Sequence, residues 1–181
     1  MSDTFMSINS QVFFIGNPRV GKSSLVRRLI SNRFQEESYS HKNTLFATKQ
    51  DFFDNNLIIT TIMDLSGYRK FSEHVLKFSL KEANGVILVY DISSKESFEA
   101  LNFWLDQINQ IGQNNTKLIL GNKCENIKAR QVGFEEGLNL ANKNNSIFCE
   151  VSAKTNHNVI EILESFIIKV GIDKKSQHLS I

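Results

Sequence analysis

Two hydrophobic periods alternate along this chain. Val12-Phe13-Phe14-Ile15 is a short continuous apolar run closed by Gly16, as expected of a strand buried on both faces. Beyond Lys22 the apolar positions become Leu25, Val26, Leu29 and Ile30, spaced for one face of a helix. The run 57–63 follows the polar turn Asp54-Asn55-Asn56, so it reads as the second arm of a hairpin whose first arm covers about 45–53. A buried strand is predicted at 85–91, and Phe98, Leu101, Trp104, Leu105, Ile108 and Ile111 trace a helix over 95–111. A strand at 117–121, a helix at 134–143, a strand at 146–150 and a last amphipathic helix through Val159, Leu163, Phe166 and Val170 complete the pattern.

Alternation of this kind predicts an α/β fold with a mostly parallel sheet, helices on both faces and one antiparallel hairpin. Ligands of such sheets sit outside the carboxyl ends of the strands. That rule directs attention to residues 16–23, 64–71, 122–125 and 152–154, each of which follows a predicted strand.

Composition narrows the class without naming a partner. The 181 residues, 41% apolar and 22% charged, suit one domain, expected at 11–170 between an N-terminal extension at 1–10 and a tail at 171–181. The formal net charge is +2 and the basic residues are scattered, so no nucleic-acid stripe is predicted. Cys124 and Cys149 form no CxxC pair and are too few for a disulfide framework, which favours a reduced compartment and small packed thiols over reactive ones. No apolar run is long enough to cross a bilayer, and neither a signal-peptide start nor a lipidation signal is present, Ser2 standing where a myristoylated Gly would and "KKSQHLSI" holding no Cys. The expectation is a cytoplasmic chain, at most peripheral on endomembranes, whose membrane attachment is not encoded in these residues.

Candidate chemistry begins with "GNPRVGKSS" at 16–24, a GxxxxGK[ST] match between a predicted strand and a predicted helix. Gly16 and Gly21 let the backbone bend closely around phosphates, and the amides of 17–23 point inward at a helix N-terminus, where the dipole favours anions. The expected phosphate-contacting set is Gly16, Asn17, Arg19, Val20, Gly21, Lys22, Ser23 and Ser24, with Lys22 bridging the β- and γ-phosphates and the Ser23 hydroxyl on Mg²⁺. A chance Gly-rich turn with an exposed Lys is the plainer alternative; the strand before and the helix after weigh against it. The motif by itself does not choose between a kinase and a switch.

The base pocket makes that choice. Asn122-Lys123-Cys124-Glu125 closes one predicted strand, and a carboxylate at Glu125 can accept hydrogen bonds from guanine N1 and N2, which adenine does not offer. Lys123 can lie over the base and Asn122 can tie its loop to the phosphate cradle. Ser152-Ala153-Lys154 follows the last strand, with the Ala153 amide able to meet guanine O6. A P-loop kinase would need neither segment.

These residues, with "GVILVYDIS", "SFEALNFWLDQI" and the 42-residue spacing from Lys22 to Asp64, resemble the Ras superfamily of small GTPases, and within it the Rab family, over about 11–170. The resemblance implies a six-stranded sheet with five helices, GTP or GDP with Mg²⁺ as ligands, and effectors, exchange factors and activating factors as protein partners in vesicle trafficking. It places Phe34 against the guanine edge, Asp64 on Mg²⁺ through water, the Gly67 amide on the γ-phosphate, and Lys22 and Gly67 as the groups that stabilise the transferred phosphoryl. It also places Phe46, Met63 and Phe78 at the three hydrophobic positions used for effectors, where ordinary core packing is an equal reading.

Four positions depart from that pattern. Tyr68 stands in place of the water-orienting Gln and lacks a carboxamide's paired donor and acceptor, so hydrolysis is expected to be slow. Pro18 removes a backbone donor from the cradle, and Arg19 beside it is either solvent-exposed or an arginine supplied in cis. His41 falls where the family has the Thr of the first switch, a poor Mg²⁺ ligand; Thr44 substitutes only if the loop shifts by three residues. Glu125 replaces Asp, keeping the carboxylate on a longer stem. The alternative function is a non-catalytic pseudo-GTPase that serves as scaffold or interaction module.

Overall fold

The computed structural model describes residues 6–35, 45–65, 73–111 and 115–178. The elements are β1 (Met6–Ile15), α1 (Lys22–Ser31), β2 (Leu45–Phe53), β3 (Asn56–Asp64), α2 (Glu73–Glu82), β4 (Gly85–Asp91), α3 (Lys95–Glu99), α4 (Leu101–Ile111), β5 (Thr116–Asn122), α5 (Phe134–Lys143), β6 (Ile147–Glu150) and α6 (Val159–His178). The six strands form one sheet in the order β2-β3-β1-β4-β5-β6. All neighbouring pairs are parallel except β2 with β3. This is the six-stranded α/β architecture expected of the family, with α3 and α4, separated by Ala100, filling the place of one predicted helix.

Each element follows from its local chemistry. In the β2–β3 hairpin Asp54 and Asn55 both adopt positive φ, 46° and 56°, as a two-residue turn matched to strand twist requires. Polar side chains tolerate that conformation, and the Asn56 amide closes the turn on the Asp54 carbonyl at 2.6 Å. β4 is buried at every position, which is what helices on both faces of a central strand demand. One core cluster packs α1 and α6 against Phe14, Ile62, Val89 and Leu120; the opposite cluster packs α4 against Phe13, Leu88, Tyr90 and Ile119.

The expected boundaries at 10/11 and 170/171 fall inside β1 and α6. Residues 6–10 pair with Asn56–Thr60, Ile8 is buried, and Ser10 and Thr60 share a buried hydroxyl–hydroxyl hydrogen bond of 2.8 Å. At the far end, Lys174 donates to the Asn9 carbonyl at 2.5 Å and Thr116 donates to Asp173 at 2.7 Å, fastening α6 across the amino ends of the strands. Among the described residues no helix is long and apolar enough to cross a membrane.

Candidate nucleotide site

The carboxyl ends of β1, β3, β5 and β6 lie along one edge of the sheet, and the predicted phosphate, metal and base segments emerge there together. Gly16 has φ 138° and a Cβ built on it would lie 2.2 Å from the Val89 carbonyl oxygen. Gly21 has φ 101° and its Cβ would meet Asn122 Nδ2 at 2.2 Å. Only glycine accepts both the backbone angle and the approach. Arg19 takes positive φ as well, at 66°, so the loop between Ile15 and Lys22 bends sharply at three positions.

Lys22 arches back across that loop. Its Nζ donates to the carbonyls of Gly16 and Asn17, both at 2.8 Å, and the residue is 3% exposed. Burial lowers its pKa from 10.5 to about 8, with the nearby Asp64 carboxylate pulling the other way. The Ser23 hydroxyl donates to Asp64 Oδ2 at 2.5 Å, which joins the helix N-terminus to the end of β3. A hydroxyl and a carboxylate so placed are hard oxygen donors of the kind Mg²⁺ takes, with the remaining positions left to water and phosphate. The two predicted metal residues therefore fit the ion.

Asn122 links the cradle to the base loop. Its Nδ2 donates to the Val20 carbonyl at 2.8 Å, its Oδ1 accepts from the Ala153 amide at 3.1 Å, and the residue is almost fully buried. The Ala153 amide is thus already engaged, so guanine O6 would share that donor with Asn122. Lys123, at φ 65°, donates to the Arg19 carbonyl at 2.9 Å and pairs with Asp91 Oδ2 at 2.6 Å. Glu125 Oε2 is enclosed and has no hydrogen-bond partner among the described residues. An enclosed carboxylate oxygen without a donor fits a base that brings two N–H groups. Ser152 is buried and its Oγ accepts from the Thr155 amide at 3.0 Å, shaping the turn that holds Lys154 outward. Phe34 packs, partly buried, against the cluster containing Val20, Leu25 and Ala153.

Two further residues belong to the site. Asp91 ends β4 and is held below its usual pKa: burial pushes the carboxyl up, but hydrogen bonds from Lys123 and Ser93 outweigh it. Its signal in the sequence is a carboxylate at the carboxyl end of a buried strand. Arg28, on α1, donates to the Ala153 carbonyl through Nε at 3.1 Å and Nη2 at 3.0 Å. Nη2 also reaches the Lys154 carbonyl at 3.0 Å, and Nη1 reaches that of Asn32 at 3.0 Å. No hydrophobic pattern marks it, because it acts from a flank of α1 on a loop 125 residues away. Arg28→Ala is expected to raise the dissociation rate of bound GDP about tenfold, ~1.4 kcal/mol for the loss of charged hydrogen bonds at a partly exposed site. A stopped-flow chase of fluorescent GDP reads this; an unchanged rate would show the base loop needs no such brace.

His41, Thr44, Gly67 and Tyr68 lie outside the described residues. Of the three hydrophobic positions, Phe46 is 63% and Phe78 69% exposed, while Met63, directly across from Phe46 in the hairpin, is partly buried against the core. Two of the three are therefore surface rather than core. Both thiols have pKa values raised by burial, and Cys149 packs partly into the core as a small hydrophobe would.

Known proteins resemble this chain over most of its length. The model of the Ras family matches residues 11–171. Ras-related protein Rab-18 of Lymnaea stagnalis is 33% identical over 162 residues, 88% of this chain and 79% of that protein. Ras-related protein Rab-1 of Theileria parva is 33% identical over 172 residues, 94% of this chain and 77% of that protein. The human EF-hand calcium-binding domain-containing protein 4B is 34% identical over 154 residues, 84% of this chain, which spans 21% of that much longer protein.

Proposed function

The chain belongs to the Ras family and resembles its Rab members, and from that premise we propose that it is a guanine-nucleotide switch of vesicle trafficking that hydrolyses GTP slowly. The observation that carries the reading is the double hydrogen bond of Asn122, which couples the phosphate loop at Val20 to the base loop at Ala153. A phosphate loop alone would serve any nucleotide; its fastening to a loop bearing the enclosed Glu125 oxygen favours guanine.

In this reading Lys22 leaves its two carbonyl partners for the β- and γ-phosphates, and Ser23 and Asp64 hold Mg²⁺. When bound, the ion neutralises charge that develops on the phosphate oxygens. Lys123 covers the base while Asp91 and the Arg19 carbonyl fix its ammonium. The Gly67 amide supports the γ-phosphate. Tyr68 leaves the attacking water without a positioned carboxamide, and His41 leaves the first switch without its usual oxygen ligand. Effectors meet the surface around Phe46, Met63 and Phe78, and exchange and activating factors act from the cytoplasm or an endomembrane face.

Nucleotide released by denaturation and separated by chromatography tests the binding half. Guanine nucleotide at one equivalent supports the reading, and a protein that is empty and takes up neither GTP nor GDP overturns it in favour of a scaffold. Single-turnover hydrolysis tests the slow half. Tyr68→Gln is expected to raise the rate about tenfold or more, the effect of restoring one positioned hydrogen-bonding group. Equal rates for the two proteins would remove Tyr68 from the explanation.

A further inference from the structure

β2 is the outermost strand of the sheet, so among the described residues nothing pairs with its outer edge. At nine residues it is roughly 30 Å long, longer than most edges. Edge strands are ordinarily blunted by shortness, a bulge, a proline or an outward lysine. β2 has no proline, and its register with β3 runs unbroken from Leu45↔Asp64 to Phe53↔Asn56. Its one lysine, Lys49, is drawn back onto its own chain by Asp51 at 3.3 Å and Glu164 at 3.1 Å, leaving that side chain 18% exposed. On the other face Phe52 is 72% exposed. Among the described residues the edge is open and unguarded.

Its charges are complementary to themselves. Two copies of one strand paired antiparallel about a two-fold axis must centre on a residue, since a half-step would set opposite faces against each other. Centring on Lys49 sets Lys49 against Lys49, and centring on Asp51 sets two carboxylates together. Centring on Gln50 sets Lys49 of each copy against Asp51 of the other, twice, and Thr48 against Phe52, twice. Opposite charges and aromatic–β-branched pairs are the favourable cross-strand combinations.

We propose that β2 pairs antiparallel with β2 of a second copy of this chain about a two-fold axis at Gln50, joining two six-stranded sheets into one. The contact is isologous and closes at two copies. It lies beside the surface of Phe46 and Met63, at the opposite side of the sheet from β6.

Analytical ultracentrifugation of the full chain from micromolar to near-millimolar concentration, with far-UV circular dichroism and bound nucleotide as controls on folding, tests this. Wild type is expected to follow a monomer–dimer equilibrium. Lys49→Glu and Asp51→Lys each place like charges at both cross-strand positions and are each expected to be monomeric. Mixed one to one, they place opposite charges at both positions and are expected to restore a dimer. Phe52→Lys disturbs no buried group and is expected to weaken the dimer at least about tenfold, which keeps the test intact should either charge variant fail to fold. A wild type monomeric throughout, a dimer that survives Phe52→Lys, or folded charge variants that fail to recombine would overturn the proposal.

Discussion

Asn122→Ala is expected to weaken guanine-nucleotide affinity by about 10²- to 10³-fold while leaving a folded protein. The side chain satisfies the Val20 carbonyl and the Ala153 amide at 2.8 and 3.1 Å, and it is 1% exposed. Truncation leaves both backbone groups without their partner in a place water reaches poorly. Each orphaned group costs about 1–3 kcal/mol, about 2–6 kcal/mol for the pair, of which about 3–4 kcal/mol is assigned to nucleotide binding. The loss falls mainly on binding, because the two groups sit on loops whose spacing matters for the nucleotide, whereas the strands behind them are held by the sheet. At 1.4 kcal/mol per decade this predicts the range given, expressed chiefly as faster dissociation. Asn122→Asp is a stringent companion: it keeps an acceptor for Ala153 but sets a carboxylate oxygen where Val20 needs a donor, so it is expected to bind no better than the alanine variant. Fluorescent-GDP dissociation measures both. A change under threefold for Asn122→Ala would mean the loops keep their spacing without this bridge.

The sheet was legible because its strands carry unbroken or alternating apolar runs between unmistakable turn residues. Val12–Ile15, 85–91 and 117–121 each lie within the strand they predict, and Asp54-Asn55 turns the hairpin where its polar pattern places it. The first half of β1 was hidden within the expected N-terminal extension, because Ser7, Asn9 and Ser10 leave no apolar run there; the Ser10–Thr60 hydrogen bond shows how a polar residue is accommodated in a buried ladder. The segments of the candidate site, Gly16–Ser24 and Asn122–Glu125, were legible as motifs because each is a short stretch directly after a predicted strand. Arg28 and Asp91 were not, because their partners, Ala153 and Lys123, are distant in sequence and become neighbours only when strands end at a common edge.

Lys22→Met is expected to cost about 10²–10⁴ in nucleotide affinity while leaving a folded nucleotide-free protein. The ammonium is set to make charge-assisted hydrogen bonds to two phosphates, worth about 1.5–3 kcal/mol each, and nothing in a thioether replaces them. In the absence of nucleotide the same ammonium is a burden, since burial lowers its pKa from 10.5 to about 8. The sign follows from linkage. Between pH about 8 and 10.5 the unfolded chain holds a proton that the folded chain has lost, so the stability of the empty protein rises with pH across that window. Bound phosphate favours the charged form and reverses the shift, so nucleotide binding takes up a proton there, and affinity falls as pH rises above about 8. Titration calorimetry in two buffers of different ionisation enthalpy is expected to show an uptake of about half a proton at pH 8 for wild type and none attributable to this site in Lys22→Met. If the variant loses affinity but the wild type takes up no proton, Lys22 is already charged in the empty cradle, and its two carbonyl partners suffice to keep it so.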